Sequence, residues 1–132
     1  MAVILVVDDE EMDRVWERAV LESDGHQLLY AADGEAALER CRETAIDLVL
    51  TDLAMPDFNG LRFIRELRGE GFRMPVIAIS GWAADQLDLA EDYGADATLF
   101  KPVDGRELMA KVREALNLPD LSNREDPWGR GR

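Results

Sequence analysis

The chain has one cysteine, one histidine and two lysines, and it lacks any long apolar run. Each scarcity removes a class of function. Cys41 alone cannot close an internal disulfide, which suits a reducing compartment. His26 has no companions for a metal site or a phosphotransfer helix, and its place in a turn before a short strand predicts a surface histidine. No apolar stretch approaches the roughly 18 residues that a membrane helix needs, so membrane insertion is not expected. Residues Met1 to Asp9 carry no basic flank and turn acidic at once, so they read as a strand and not as a signal peptide. The expected location is the cytoplasm. Positive charge is also scarce. The net charge of −13 would repel a phosphate backbone, so direct nucleic-acid binding is not expected.

What is present is enough for one domain with a real core: 132 residues, 47% of them hydrophobic. Strand-like and helix-like segments alternate. Ala2–Val7, Gln27–Ala31, Ile46–Thr51, Val76–Ser80 and Ala97–Phe100 are short, nearly continuous apolar runs. Between and after them, Glu11–Leu21, Gly34–Arg42, Leu61–Arg68, Trp82–Tyr93 and a segment through Leu108, Val112 and Leu116 carry helical spacing. Asp33 can cap the second helix, Gly94 closes the fourth, and Asp104 with Glu107 stands at capping-box spacing before the fifth. Five strands alternating with five helices predict an α/β fold, a flavodoxin-like doubly wound parallel sheet in the order 2-1-3-4-5. The domain is expected over residues 1–117. Residues 118–132, with Pro119, Pro127, Gly129 and Gly131, read as a polar and flexible tail too short for a further domain.

In such a sheet, ligands bind beyond the carboxyl ends of the strands. The first strand ends in Asp8 and Asp9, the third in Asp52, the fourth in Ser80 and the fifth in Lys101. Pro56 stops the third strand from continuing, which leaves Asp52 at its lip. Crowded carboxylates repel by about 4 kcal/mol per pair at a surface-like dielectric. They must therefore shift their titration or hold a cation, and an all-oxygen set suits Mg²⁺. A divalent ion, an ammonium and a hydroxyl around one carboxylate form an arrangement for phosphoryl transfer to that carboxylate.

These motifs resemble the receiver domain of two-component response regulators. They are Val6-Val7-Asp8-Asp9-Glu10, the run from Asp52 to Gly60, Ile79-Ser80-Gly81 and Lys101-Pro102, and the resemblance spans Val3 to about Leu116. It implies that Asp52 accepts a phosphoryl group from a histidine kinase or a histidine phosphotransfer protein. It implies Mg²⁺ (or Mn²⁺) bound directly by Asp9 and Asp52, by Asp8 mainly through water, and by the Ala54 carbonyl. Ser80 and Lys101 would contact the phosphoryl oxygens, Gly81 would leave them access, and Pro102 would follow a cis peptide bond. The protein would not be an enzyme beyond its own phosphorylation and dephosphorylation. It would signal to a separate downstream protein, and the family allows a homodimer through the fourth helix, fifth strand and fifth helix.

Departures from the family pattern fall at the positions expected to tune or switch the site. Thr98 occupies the place of an aromatic residue three before the lysine; Phe100 is aromatic, and alternation along the strand is expected to point it differently. Ala54 and Trp82 stand at positions that set phosphoryl lifetime. Three alternatives compete: a phosphorylation-independent interaction module, a phosphate sink or shuttle in a phosphorelay, and an aspartyl-phosphate hydrolase. The hydrolase would need a second acid where Ala54 stands, and the module would be expected to have lost an acid or the lysine.

Overall fold

The computed structural model describes residues 2–9, 18–53, 60–81 and 84–117. Five strands, β1 (Val3–Val7), β2 (Gln27–Ala31), β3 (Leu48–Asp52), β4 (Val76–Ser80) and β5 (Ala97–Phe100), form one sheet in the order β2-β1-β3-β4-β5. Every pairing is parallel. The expected topology is therefore observed. The helices are α1 (residues 18–23 of the described chain), α2 (Gly34–Glu43), α3 (Gly60–Gly69), α4 (Ala84–Tyr93) and α5 (Gly105–Ala115).

Alternation along the strands sorts the core into two layers. Leu5, Val7, Val49, Val76 and Ala78 face Ala37, Leu38 and Cys41 of α2, Phe63, Ile64 and Leu67 of α3, and Leu87 and Ala90 of α4. Ile4, Val6, Leu48, Leu50, Ile77, Ile79 and Leu99 face Leu21 of α1 and Leu108 and Val112 of α5. Burial on both faces explains why the strands are apolar at every position. Each fully buried Leu, Ile or Phe contributes about 1.5–3 kcal/mol, so the two layers can offset the several kcal/mol lost where a carboxylate is buried at the sheet edge.

The caps follow the sequence. Asp33 accepts the Ala36 amide at 2.8 Å, and Asp104 Oδ1 accepts the Arg106 amide at 2.6 Å and that of Glu107 at 3.4 Å. Gly94 ends α4 with φ +121°, where a Cβ would lie 2.7 Å from Cγ of Arg68. The third strand differs from expectation: it starts at Leu48, and Asp52 is its last residue. Asp47 is taken up instead as a clamp on β1, with Oδ2 accepting the Val3 amide at 2.8 Å and its own amide donating to Val3 O at 2.9 Å.

His26 is a correction. It is 7% exposed and belongs to a buried polar group at the amino-terminal pole of the sheet. Nδ1 accepts the Ala2 amide at 3.3 Å, Nε2 lies 3.5 Å from Oδ2 of Asp24, and Oδ1 of Asp24 accepts from Nη2 of Arg113 at 2.6 Å. The partners are 24 and 89 residues apart, beyond any local signal. The group ties α5 to the start of β1. Arg113→Met should lower unfolding free energy by about 3 kcal/mol, because it strands the buried Asp24 carboxylate, and urea denaturation would measure it.

Cys41 is buried in α2, and burial, with the charge of Glu70, raises its thiol to about 11. Between the unfolded value near 9.0 and the folded value near 11, the unfolded chain gives up the proton first. Stability should therefore fall as pH rises across that window, and should fall less steeply in Cys41→Ser; denaturant titrations at pH 8 and 10.5 would test this.

Candidate functional site

The carboxyl edge of the sheet collects the predicted residues. Asp8 and Asp52 each follow one member of the last β1–β3 register pair, Val7↔Thr51, and Asp52 is itself in register with Ile79 beside Ser80. Asp8 is 1% exposed, Asp52 6% and Ser80 fully buried. The Asp8 amide donates to Ala31 O at 3.1 Å, which holds the end of β1 against β2. Lys101 follows β5. Its Nζ donates to Oδ2 of Asp52 at 2.8 Å and its amide donates to Ser80 O at 2.9 Å. A residue that is 49 positions away in sequence thus neutralises the buried carboxylate. The Lys101–Pro102 peptide is cis, as the motif implied.

Asp9 is exposed, and no group of three His, Cys, Asp or Glu side chains converges as a metal cage among the described residues. The crowd of three acids expected from sequence is, in this fold, a buried pair with a third acid facing solvent. That donor set still fits a hard cation. Mg²⁺ keeps several waters and needs only one or two carboxylates. Asp8, Asp9 and Asp52 are the residues that could hold it; Ala54, whose carbonyl was expected to join them, lies outside the described residues, as does Trp82.

Two glycines shape the edge. Gly81 is exposed, and a Cβ there would lie 3.2 Å from Cβ of Lys101, so its smallness leaves room for the lysine stem as well as for a ligand. Gly60 opens α3 with its amide donating to Leu53 O at 3.1 Å. A Cβ at Gly60 would meet Asp52 O, and would lie 2.7 Å from Cα of Leu53. In the sequence Gly60 is marked only as the last residue of the run from Asp52; the close backbone approach that excludes a side chain there shows only in the fold.

The orientation of β5 needs a second correction. Ala78↔Thr98 and Ser80↔Phe100 are register pairs, so Thr98 and Phe100 share one side of the sheet, that of Ser80 and α4. They are two residues apart, and a period of two returns a side chain to the same face. Leu99 lies on the other face, in the layer of α1 and α5.

The description of the response regulator receiver domain matches residues 4–113. The KDP operon transcriptional regulatory protein KdpE of Escherichia coli K12 is 35% identical over 96% of this chain and 56% of its own length. The alkaline phosphatase synthesis transcriptional regulatory protein PhoP of Bacillus subtilis is 31% identical over 90% of this chain and 50% of its own length. The chain thus spans about half the length of these curated relatives. Among solved structures, a response regulator receiver domain protein from Clostridium thermocellum superposes with a TM-score of 0.83, at 34% identity, covering 89% of this chain and 95% of that one.

Gly60→Ala should displace the Asp52–Leu53 backbone and lower stability by about 1–3 kcal/mol, because the obstacle is main chain and cannot rotate away. Thermal unfolding would give the loss, and amide shifts at residues 52 and 53 would locate it.

Proposed function

The chain belongs to the response regulator receiver domain family, and on that premise we propose that Asp52 is its phosphoryl acceptor. The observation that carries this reading is the buried Asp52 carboxylate, held at 2.8 Å by the Lys101 ammonium beside a buried Ser80 hydroxyl, at the edge where the sheet can receive a ligand.

A carboxylate oxygen of Asp52 attacks the phosphorus of a phosphohistidine on a kinase or phosphotransfer protein. The new P–O bond makes an acyl phosphate, and the P–N bond breaks with its electron pair staying on the imidazole nitrogen, which takes up a proton from solvent. Lys101 already stands at the oxygen where charge will be shared, so it can follow an incoming phosphoryl oxygen with little reorganisation. Ser80 supplies a neutral donor from the adjoining strand end. Gly81 leaves the approach open. Bound Mg²⁺ would contribute further neutralisation of the phosphoryl oxygens. Asp8 supports this edge from the end of β1, the strand that pairs with β3. The outcome is a self-modifying signalling domain that exchanges one phosphoryl group and passes its state to a separate protein.

Incubation with Mg²⁺ and acetyl phosphate should add the mass of one phosphoryl group to the intact chain, and Asp52→Asn should abolish the adduct. An equal adduct in Asp52→Asn would refute the assignment. Lys101→Ala should still fold and should accept the group more slowly, since it removes the ammonium and leaves the nucleophile.

A further inference from the structure

Thr51 is a hydroxyl in a place suited to valine. It is fully buried in β3. Its register neighbours are Val7 on β1 and Ala78 on β4, both in the layer that faces α2, α3 and α4. Val49 and Leu53, two residues to either side along the strand, lie in the same layer. Valine has the same branched shape and no polar atom. A hydroxyl buried among apolar side chains costs free energy unless it is hydrogen-bonded. Here Oγ1 of Thr51 donates to the main-chain carbonyl of the next residue, Asp52, at 3.0 Å.

That carbonyl belongs to the peptide unit on which the Asp52 side chain depends. The β1–β3 register ends at Val7↔Thr51, one residue before Asp52, and the β3–β4 register ends at Asp52↔Ile79. The Asp52–Leu53 peptide therefore lies at the limit of the sheet. Its amide end is held from β4, where Leu53 N donates to Ile79 O at 2.9 Å. Its carbonyl end is held by Thr51 from within β3, and Gly60 packs against it so closely that a Cβ would meet Asp52 O. The carboxylate projects from the same residue, and its far end is gripped by Lys101 Nζ, 2.8 Å from Oδ2. With that end gripped, any turn of the main chain at residue 52 tilts the carboxylate. Attack on phosphorus needs the reacting atoms aligned and roughly 3–3.5 Å apart, and a misplacement of about 1 Å can cost on the order of 10²-fold in rate.

We propose that Thr51 is a positioning residue for phosphoryl acceptance: its buried hydroxyl fixes the Asp52 carbonyl, and with it the main chain from which the acceptor carboxylate is aimed. This role presupposes that Asp52 is the phosphoryl acceptor, as proposed above. Thr51 points into the apolar layer and acts through Asp52, so its two branches have separable effects. The methyl fills the layer and contributes to stability. The hydroxyl serves the site.

The test follows the intact mass of the full chain over time with Mg²⁺ and acetyl phosphate, beside Thr51→Val and Thr51→Ser, with urea denaturation of each. Thr51→Val keeps the shape and loses the hydroxyl, and should acquire the adduct at least about five-fold more slowly. Thr51→Ser keeps the hydroxyl and loses the methyl. It should unfold at a lower urea concentration, yet acquire the adduct within about two-fold of the unaltered chain. A Thr51 that served packing alone would tie the rate to stability, and the serine variant breaks that tie. The ¹³C carbonyl resonance of residue 52 should move in Thr51→Val and hold in Thr51→Ser. If Thr51→Val does not fold, Thr51→Ala against Thr51→Ser isolates the same hydroxyl, and the alanine variant should be the slower by about five-fold or more. An unaltered rate in Thr51→Val, or equal slowing of the variants with and without the hydroxyl, overturns the proposal. An adduct on Asp52 that ignores the Thr51 hydroxyl refutes the positioning role alone. A missing adduct in the unaltered chain, or an equal adduct in Asp52→Asn, refutes the acceptor assignment, and the role of Thr51 falls with it.

Discussion

A carboxylate that is almost wholly buried at the end of a central strand needs a cation, and the ion pair from Lys101 to Asp52 supplies it. At 2.8 Å the attraction is about 6 kcal/mol for an effective dielectric near 20, while desolvation removes several kcal/mol per ion. The two nearly cancel. The pair is thus a poor staple; on the proposed reading it would be a good exchange point, because an arriving phosphoryl group would bring anionic oxygens that Lys101 could hold in place of the carboxylate at little net change. Side-chain exposure points the same way, since the lysine is a third exposed where the aspartate is not.

An exchangeable pair is useful only in a frame that does not yield with it. The frame is set at the opposite pole. Arg68 donates to the carbonyls of Phe72, Met74 and Gly94 and to the carboxylate of Asp96, which also accepts the Val76 amide. One guanidinium thereby joins the end of α3, the end of α4 and the starts of β4 and β5. Arg113, Asp24 and His26 do the same for α5, β1 and β2. Polar networks fix the amino-terminal edge, two apolar layers fix the middle, and the carboxyl edge holds the Lys101–Asp52 pair.

The topology was legible because its signals are local and periodic. Continuous apolar runs mean strands buried on both sides, and Asp33, Gly94 and Asp104 punctuate the helices through contacts within a few residues. The candidate site was legible for a different reason: in this topology the strand ends share an edge, so Asp8, Asp9, Asp52, Ser80 and Lys101 are gathered whatever the loops do. What escaped were matters of direction and distance. His26 was expected at the surface because its partners, Ala2 and Asp24, and the Arg113 behind them, meet only when the sheet pole closes. Phe100 was assigned the wrong face by counting from the lysine, where counting from Thr98 along the strand gives the right one.

By itself, the order of residues determined the alternation of strands and helices, the sheet order and the set of groups at one edge, because these follow from periodicity, chain connectivity and the handedness of crossovers. Only the tertiary structure decided which of those groups are buried, which oxygen Lys101 holds, why Gly60 can have no side chain and where Phe100 looks. Those depend on the packing of elements distant in sequence, where a shift of an ångström determines whether a side chain meets a partner, a backbone or water.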